Sequence, residues 1–401
     1  MFRLLAPAGS PIAATDIARA LALRLQPGSG TDTATRLIAE RTSAGHCFLL
    51  DSGRTALMVS LKALSKLAGP VRDEVIMPAY TCYTVAAAVA RCGLKIRLAD
   101  IDPSTMDYCH ERLESANFGR VLAIVGNDLF GIMSDWRRLR CLARQRGIYL
   151  VDDAAQSMGA SHREKPSGCL GDIGFFSLGR GKNLTAYTGG VLLTDEDGIA
   201  GEVRREIMQL PQAGILSEMA LIAKVAAVSL LLRPRLFWLP ARMPLLKLGE
   251  TVFDPEFDAA RMTNFQTALL GTVYRHLDRL NDARRENARM LAEKIAPLNR
   301  YDIPGYERTD CPAYLRLPVL ARDRENRDRL VTALKAAGIS ASTMYPSTIR
   351  RIPGIEKHLA SACDSFNGAQ QVVDRLLTLP THAYVSDSDI DRMVSILAGT
   401  S

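Results

Sequence analysis

Short apolar segments alternate with segments of helical periodicity from Phe48 to Leu193, and this alternation limits the fold most strongly. The apolar segments are only four or five residues long, as fully buried strands are. Strands that alternate with helices in this way predict an α/β domain around a mostly parallel sheet, of a seven-stranded type. Ligands of such sheets bind beyond the carboxyl ends of the strands. The predicted strands are Glu74–Met77, Lys95–Leu98, Val121–Val125 and Ile148–Val151, and the predicted helices are Thr55–Leu67, Thr84–Arg91 and Trp136–Arg146.

The length of 401 residues predicts two or three domains. We assign residues 1–250 to an N-terminal segment and a large α/β domain. We assign residues 251–401 to a linking helix, predicted within the long amphipathic stretch Arg261–Ala296, and a smaller α+β domain. In that smaller domain the pattern predicts a strand at Ala313–Leu317 and helices at Glu325–Ala337 and Ser386–Leu397.

The chain carries a net charge of +7, which favours an anionic partner: nucleic acid, a membrane surface or a phosphorylated small molecule. Acidic residues interrupt the arginines of Arg261–Arg289, as on a solvated helix face rather than a basic stripe. We therefore expect no nucleic-acid partner.

The eight cysteines are scattered and form no C-x-x-C pair, so the sequence predicts reduced thiols and no metal site. We expect no signal peptide in the first residues, because Pro7, Gly9 and Pro11 interrupt their apolar stretch. No apolar run reaches the length that a membrane span needs. These features together predict a cytoplasmic protein.

Residues 214–250 are unusually apolar and basic. Glu218 and Lys224 interrupt the apolar stretch Ile215–Leu232, and the segment RPRLFWLPAR follows it. Cationic side chains beside Trp and Leu are typical of a segment that lies on a membrane, here the inner membrane surface. A helix pair that packs against a partner subunit explains the same composition, and the sequence leaves both alternatives open.

The residues that carry chemistry lie beside two predicted strands, IYLV and the strand VLLT that follows Gly189 and Gly190. Asp152 and Asp153 directly follow the strand IYLV, and Ser177 and Lys182 occur in the glycine-rich segment GDIGFFSLGRGKNL. A lysine held partly away from water has a lowered pKa, which frees its amine for Schiff-base chemistry. A hydroxyl and backbone N–H groups can bind a phosphate. An aspartate at a strand end can keep a pyridinium nitrogen protonated.

Seven ordered segments, spread over residues 45–398, give the chain a specific resemblance. They read LLDSGRTAL, DEVIMPAYTCYTVAAAVARCG, LADIDPSTMD, VDDAAQSMGA, GDIGFFSLGRGKNLTAYTGG, RMTNFQTALL and LPTHAYVSDSDIDRMV. Together they resemble the DegT/DnrJ/EryC1/StrS aminotransferases, which use pyridoxal 5′-phosphate (PLP) and have fold type I. The resemblance therefore implies a PLP-dependent transferase fold, PLP as cofactor and a homodimer with shared active sites.

The resemblance assigns roles to three residues that act on the cofactor ring. Lys182 would form the Schiff base with PLP and would be the catalytic base. Asp153 would pair with the pyridine nitrogen, and Gln156 would reach the side of the phenolic oxygen. Some relatives carry His in place of the lysine and dehydrate their substrate, and Lys182 argues against that reaction here.

A second group would hold the rest of the cofactor. Ser177 would bind the phosphate together with the backbone of Gly53, Arg54 and Thr55. The family places an aromatic ring over PLP at the position of Cys82, which is not aromatic. Two alternatives stay open for Tyr80 and Tyr83: one of them takes over that stacking, or both simply pack at a helix start.

Three departures concern the substrate more than the cofactor. Thr188 stands where the family has an acidic residue, Asp128 where it has His, and Ala259 where it has an Asn that reaches the partner's cofactor. They leave the PLP residues intact and put the usual recognition of a nucleotide sugar in question.

The expected function is transfer of an amino group from a small-molecule donor, glutamate in our expectation, to a carbonyl acceptor. The leading acceptor is a keto-sugar, linked to a nucleotide, in polysaccharide or natural-product biosynthesis. One alternative keeps the reaction but uses a lipid-linked or apolar carbonyl at a membrane surface. Another is a PLP-binding regulatory protein without catalysis.

Overall fold

The fold is built on a twisted sheet of seven strands in the order β1-β11-β10-β7-β6-β2-β3. The computed structural model describes residues 3–25, 29–242, 251–305, 311–361 and 365–399. Neighbouring strands run parallel from β10 to β3, whereas β11 is antiparallel to both β10 and β1. The predicted α/β class with a mostly parallel seven-stranded sheet is confirmed.

The strands are β1 His46–Leu50, β2 Glu74–Pro78, β3 Lys95–Ala99, β4 Ile101–Asp102, β5 Asp107–Tyr108, β6 Val121–Asn127, β7 Tyr149–Asp153, β8 Ser161–His162, β9 Lys165–Pro166, β10 Ile173–Ser177, β11 Gly190–Thr194, β12 Arg316–Leu320 and β13 Leu376–Pro380. The helices are α1 Ala14–Arg24, α2 Ser29–Thr42, α3 Gly53–Ala68, α4 Tyr83–Arg91, α5 His110–Glu114, α6 Trp136–Arg146, α7 Asp197–Met208, α8 Ile215–Leu231, α9 Trp238–Ala241, α10 Asn264–Val273, α11 Leu277–Ile295, α12 Arg324–Ala336, α13 Asn367–Arg375 and α14 Asp387–Gly399.

The central strands form because their sequences are apolar on both faces. Every residue of β2, β6 and β11 is buried, as in sheets that helices cover on both sides. The helices between them begin and end at local signals. The carboxylate of Asp135 accepts a hydrogen bond from the backbone N–H of Arg138 at the start of α6, and Gly147 ends that helix in the left-handed conformation.

A smaller unit follows α11. It consists of the antiparallel pair β12–β13 with α12 and α13 against it, and α14 packs on α11 and α12. Leu5, from the N-terminal segment, forms a β-bridge with Ile339 of this unit, so the first residues pack on the last third of the chain. Residue 250, the predicted domain boundary, lies outside the described residues, and the boundary stays a prediction.

Two predicted elements differ from the structure. The stretch Arg261–Ala296 is divided by a 3₁₀ turn at Tyr274–His276, because α10 is buried against α1 and α2 while α11 continues toward the smaller unit. The strand predicted at Ala313–Leu317 begins three residues later, at Arg316. The backbone N–H groups of Ala313 and Leu315 bond instead to the carbonyls of Gly131 and Phe130 in the large domain.

Helix α8 is apolar but largely exposed. Of its residues only Glu218 and Val225 are buried, and Ile215, Leu216 and Met219 are 72%, 84% and 58% exposed. Among the residues described, no helix is long and apolar enough to cross a membrane. Residues 243–250 of the atypical segment lie outside the described part of the chain.

Gly190 fixes the contact between β11 and the start of α3. A Cβ atom at this position would lie 2.3 Å from the carbonyl oxygen of Ser52. We expect Gly190→Ala to lower the free energy of unfolding by about 1–3 kcal/mol, because backbone would have to shift. Chemical denaturation of the apo-protein measures this change.

Gly201 provides the matched control for this substitution. It lies inside α7, where an added Cβ would meet nothing within 4 Å. Gly201→Ala should leave stability unchanged or raise it by up to ~1 kcal/mol through helix propensity. Equal effects of the two substitutions would contradict the close contact at Gly190.

Candidate active site

The two adjacent aspartates of the sequence belong to strand β7 itself, which continues to Asp153. The prediction that the strand ends at Val151 is wrong, because residues 151–153 pair with β10. Successive side chains of a strand point to opposite faces, so the two carboxylates have different surroundings. Asp152 accepts hydrogen bonds from the backbone N–H groups of Gly168 and Leu170, at 2.7 and 3.0 Å, and holds that turn.

Asp153 faces the other side of the sheet and is buried. Its carboxylate accepts hydrogen bonds from the side-chain amide of Asn127 at 2.9 Å and the backbone N–H of Ala155 at 3.1 Å. Burial raises the pKa of Asp153 to about 6, although the positive charge of Lys182 and the bond from Ala155 oppose this. An ionised carboxylate buried in this position is stable only if a cation or a proton donor lies beside it.

Lys182 lies in the turn that follows β10 and is partly buried. The turn is fixed by its backbone: the N–H of Lys182 donates to the carbonyl of Gly179 at 3.1 Å. The hydroxyl of Ser10 lies 2.7 Å from the carbonyl oxygens of both Lys182 and Asn183. Distant parts of the chain therefore set the position of the lysine.

Arg284 of α11 also holds this turn in place. Its guanidinium donates to the hydroxyl of Ser10 at 2.8 Å, the carbonyl of Asn183 at 3.0 Å and the side-chain oxygen of Asn281 at 2.8 Å. Arg284 is 1% exposed, so these bonds are protected from water. Sequence reasoning missed both Ser10 and Arg284, because no local pattern connects them to the lysine.

The electrostatics of Lys182 favour a neutral amine. Burial lowers the pKa of Lys182, and the charge of Arg316 lowers it further, whereas Cys82 and Asp153 act in the opposite direction. A primary amine with a lowered pKa is a nucleophile toward carbonyl groups at neutral pH. The site thus pairs a reactive amine with a buried carboxylate at the carboxyl edge of the sheet.

Gly53 and Ser177 meet where helix α3 begins. A Cβ atom on Gly53 would lie 2.9 Å from the Cβ of Ser177, so only glycine permits this approach. The side chain of Ser52 caps the helix by accepting from the N–H of Thr55 at 3.2 Å. The guanidinium of Arg54 stacks on the Phe257 ring at 4.6 Å. A helix N-terminus next to a hydroxyl is suited to an anion.

Tyr80 and Tyr83 both contact the segment 343–347 of the smaller unit. The backbone N–H of Tyr345 donates to the Tyr80 hydroxyl at 3.4 Å, and the hydroxyls of Tyr83 and Ser347 lie 2.7 Å apart. The Tyr345 ring packs edge-on to Tyr80 at 5.4 Å and is stacked with Tyr83 at 6.2 Å. Both tyrosines thus join the two units, and a stacking role over a cofactor stays a prediction.

Gln156 and Cys82 approach the same tyrosine. The Gln156 amide donates to the Tyr345 hydroxyl at 3.3 Å and its oxygen accepts from the N–H of Phe130 at 3.2 Å. The Cys82 thiol lies 3.0 Å from the Thr84 hydroxyl, and it raises the pKa of both Lys182 and Tyr345. Tyr345 is a site residue that the sequence analysis missed, since it belongs to none of the motif segments and follows Gln156 by 189 residues.

The three departures from the family pattern have local explanations. The carboxylate of Asp128 is fully buried and accepts from the indole of Trp136 and the hydroxyl of Ser157, both at 3.0 Å. Gln266 of α10 donates to the hydroxyl of Thr188 at 3.0 Å. Ala259 packs against the core at its edge. Asp128 therefore serves the internal structure of the large domain.

Comparison with known proteins agrees with this geometry. The sequence model described as the DegT/DnrJ/EryC1/StrS aminotransferase family matches residues 16–398. The GDP-perosamine synthase of Caulobacter vibrioides is 28% identical over 90% of this chain and 87% of its own length. The UDP-2-acetamido-2-deoxy-3-oxo-D-glucuronate aminotransferase of Pseudomonas aeruginosa is 27% identical over 88% of this chain and 86% of its own.

A solved structure shows the same fold. A putative sugar aminotransferase of Streptococcus pneumoniae, in its PLP form, superimposes with a TM-score of 0.79. The superposition covers 99% of this chain and 98% of that one, at 19% sequence identity. The chain therefore has the fold of this PLP-containing protein over nearly its whole length.

The effect of Asp153 on the amine can be measured directly. We expect Asp153→Asn to shift the reactivity of Lys182 in the apo-protein to lower pH, because the carboxylate raises the pKa of that lysine. Labelling with acetic anhydride over a pH series, read by peptide mass spectrometry, gives the pH of half-maximal reaction.

Lys66 serves as the internal control in the same samples. Its pKa is raised by a hydrogen bond to Glu206, so it should react at higher pH than Lys182 and should not respond to Asp153→Asn. An unchanged profile for Lys182 in the variant would contradict the electrostatic pairing.

Proposed function

The chain belongs to the DegT/DnrJ/EryC1/StrS aminotransferase family, and from this membership we propose that it transfers an amino group from glutamate to a nucleotide-linked keto-sugar. The observation that carries the proposal is the amine of Lys182, with its lowered pKa, beside the buried carboxylate of Asp153. An aminotransferase needs this pair, because one group exchanges bonds with the substrate amine and the other supports the cofactor.

The residues present fit PLP. The close approach of Gly53 to Ser177 leaves a helix N-terminus and a hydroxyl for its phosphate, where a Cβ on Gly53 would collide. Asp153 would pair with the pyridine nitrogen, Gln156 would lie on the side of the phenolic oxygen and Lys182 would hold the aldehyde carbon. When bound, PLP supplies an electron sink for the carbanion that forms at the substrate carbon.

The chain's own residues carry out the rest of the reaction. The Lys182 amine would be displaced when the donor amine takes its place, and it would then be free to carry a proton from the α-carbon of the donor to the aldehyde-derived carbon of the cofactor. Asp153 would keep a proton on the pyridine nitrogen, and burial away from water raises the pKa of Asp153 itself. Ser10 and Arg284 keep the backbone of the Lys182 turn in place and act as positioning residues.

The acceptor is proposed from the relatives and the charge. Both curated relatives carry names of enzymes that act on nucleotide-linked sugars, and the chain has a net charge of +7. An excess of cationic groups suits a diphosphate-linked substrate. We place the reaction in polysaccharide or natural-product biosynthesis, in the cytoplasm, with a homodimer as the working unit.

A half-reaction tests the function. Glutamate added to the PLP-loaded protein should remove the visible absorbance of the bound cofactor, and a keto-sugar acceptor should restore it. Lys182→Ala should lower turnover at least ~1000-fold, since it removes both the exchanging amine and the proton carrier. Lys335→Ala, on the exposed face of α12, is the control and should keep full activity.

Two results would contradict the proposal. One is a wild-type protein that binds PLP but does not respond to any amino acid donor. The other is a Lys182→Ala protein that retains the visible band and wild-type turnover.

Helix α8 favours a second candidate function, in which the acceptor is lipid-linked or apolar and the enzyme works at the inner membrane surface. Ile215, Leu216 and Met219 are exposed, and the exposed Arg233 and Arg235 follow the helix. Such a face suits anionic lipid. It equally suits the second subunit of the proposed homodimer.

Sedimentation with vesicles of anionic lipid at low salt distinguishes a membrane surface from a second subunit as the partner of this face. The homodimer proposal predicts that the protein stays in the supernatant and that Leu216→Glu with Met219→Glu shifts it to monomer in analytical ultracentrifugation. The membrane alternative predicts pelleting that the same double substitution abolishes, while Val252→Glu, a control at another exposed apolar residue, does not.

A further inference from the structure

A groove beside helix α6 is lined by cations, and none of its described lining residues is acidic. It has a volume of about 480 Å³ and lies between α6 and the hairpin β8–β9. We call it the basic groove after its five cationic residues, Arg137, Arg140, Arg144, Arg163 and Lys165. The first three follow one another at intervals of three and four residues, so they share one face of the helix.

Most of these cations are not paired within the part of the chain that the structure describes. Arg140 donates to the carbonyl of Leu170 at 2.8 Å, but the side chains of the other four form neither a hydrogen bond nor an ion pair there. Helix α11 shows the usual arrangement in this protein, because its Arg289 is paired with both Glu286 and Glu293. Like charges gathered in one groove repel each other, so the basic groove favours an anion.

Acidic residues lie on both flanks of the basic groove. On one flank, Glu111 and Glu114 pair with Arg138, which belongs to α6 but does not line the groove. On the other flank, an adjacent cavity shares three cations with the groove and adds three acidic residues, Asp172, Asp195 and Glu196. An extended polyanion, such as nucleic acid or a membrane surface, would meet these carboxylates. A compact anion inside the groove would not.

The basic groove is separate from the active site. Arg140 bonds to the carbonyl of Leu170, and the N–H of Leu170 donates to the carboxylate of Asp152 at 3.0 Å. Asp152 and Asp153 point to opposite faces of the sheet. The groove therefore lies on the face opposite to Asp153 and the amine of Lys182.

The hairpin places one of the cations at a conformational cost. Its two turn residues, Arg163 and Glu164, have φ angles of 46° and 68°. Two-residue hairpin turns with both φ angles positive favour Asn and Gly, because a longer side chain makes this conformation unfavourable. Strained backbone of this kind is concentrated at functional sites. The turn is therefore consistent with a function for this hairpin.

We propose that the basic groove binds a compact anion with two or more phosphate groups, such as the polyphosphate of a nucleotide. The forked N–H groups of its three helical arginines match the oxygens of phosphates. Arg137, Arg144 and Arg163 are exposed, so an anion can reach them from solvent. The volume is within the range of pockets that bind small molecules. This site is independent of the proposed function, because no residue of the groove contacts the reacting groups.

The thiol of Cys141 reports on binding, because it is exposed and lines the groove. In the PLP-loaded protein, tripolyphosphate at ~10 times its Kd should slow alkylation of Cys141 by iodoacetamide about 10-fold, since a bound anion covers the thiol. Peptide mass spectrometry measures the rate. Cys109, a half-buried thiol at the start of α5, is the internal control and should react at an unchanged rate. Sodium chloride of equal ionic strength should not protect Cys141.

A double substitution tests the cations themselves. Arg137→Gln with Arg144→Gln should weaken the protection by tripolyphosphate about 10-fold, because two charge-assisted contacts are lost. Without an anion this variant should melt no lower than the wild type, since like charges have been removed. Its half-reaction with glutamate should keep the wild-type rate. Arg19→Gln with Arg279→Gln, two exposed positions elsewhere, removes the same charge and should bind tripolyphosphate as the wild type does.

Nucleotides separate the two sources of such an anion. If UDP or GDP protects Cys141 at a lower concentration than pyrophosphate, the base contributes and the ligand is a nucleotide. If the concentrations are equal, the phosphates alone are recognised. Either result supports the proposed site.

Three results would overturn it. The first is a Cys141 that millimolar tripolyphosphate does not protect. The second is an Arg137→Gln, Arg144→Gln protein that melts lower than the wild type and keeps the full protection, because these arginines would then be structural. The third is protection by a single-stranded oligonucleotide or by anionic vesicles at a lower phosphate concentration than by tripolyphosphate, which would make the groove part of a surface for an extended polyanion.

Discussion

The active site depends on one constraint: an amine and a carboxylate are held together where little water reaches them. Asp153 is buried at the end of β7, and Lys182 lies in the turn after β10, the next strand of the sheet, where each group shifts the pKa of the other. In water neither group would be unusual, because each would simply be charged. Burial shifts the pKa of both groups. It lowers the pKa of the lysine, which makes the amine a better nucleophile, and it raises the pKa of the carboxyl group, so that the ionised form needs a cation beside it. The sheet edge, the glycine turn and the residues around them all serve to keep this pair in place.

Much of this arrangement follows from the sequence because it is local. The period and length of the apolar segments predict the strands, and Trp136–Arg146 is a helix with the predicted bounds. The carboxylate and the lysine are found because one stands at the carboxyl end of a predicted strand and the other in a glycine-flanked turn beside a second strand. Which of the two aspartates faces the lysine could not be read from composition, since it depends on the strand continuing through Asp153.

What the sequence did not predict comes from distant contacts. Tyr345 and Arg316 reach the site from the smaller unit, and Ser10 reaches it from the N-terminal segment. No periodicity marks such residues, because their role depends on tertiary packing. The break at Tyr274–His276 has the same origin: α10 must pack against α1 and α2, which a helical pattern alone does not reveal.

The hydrogen bonds of the Lys182 turn also determine when, during synthesis of the chain, this turn can become ordered. The turn is held by Arg284, and this arginine follows Asn183 by 101 residues in the chain. While the protein is being synthesised, the lysine therefore leaves the ribosome long before the residues that fix it. A nascent chain carries an ordinary, charged lysine at this position. The lowered pKa of Lys182 depends on burial and on the charge of Arg316, so it arises only once the chain beyond α11 has folded onto the large domain.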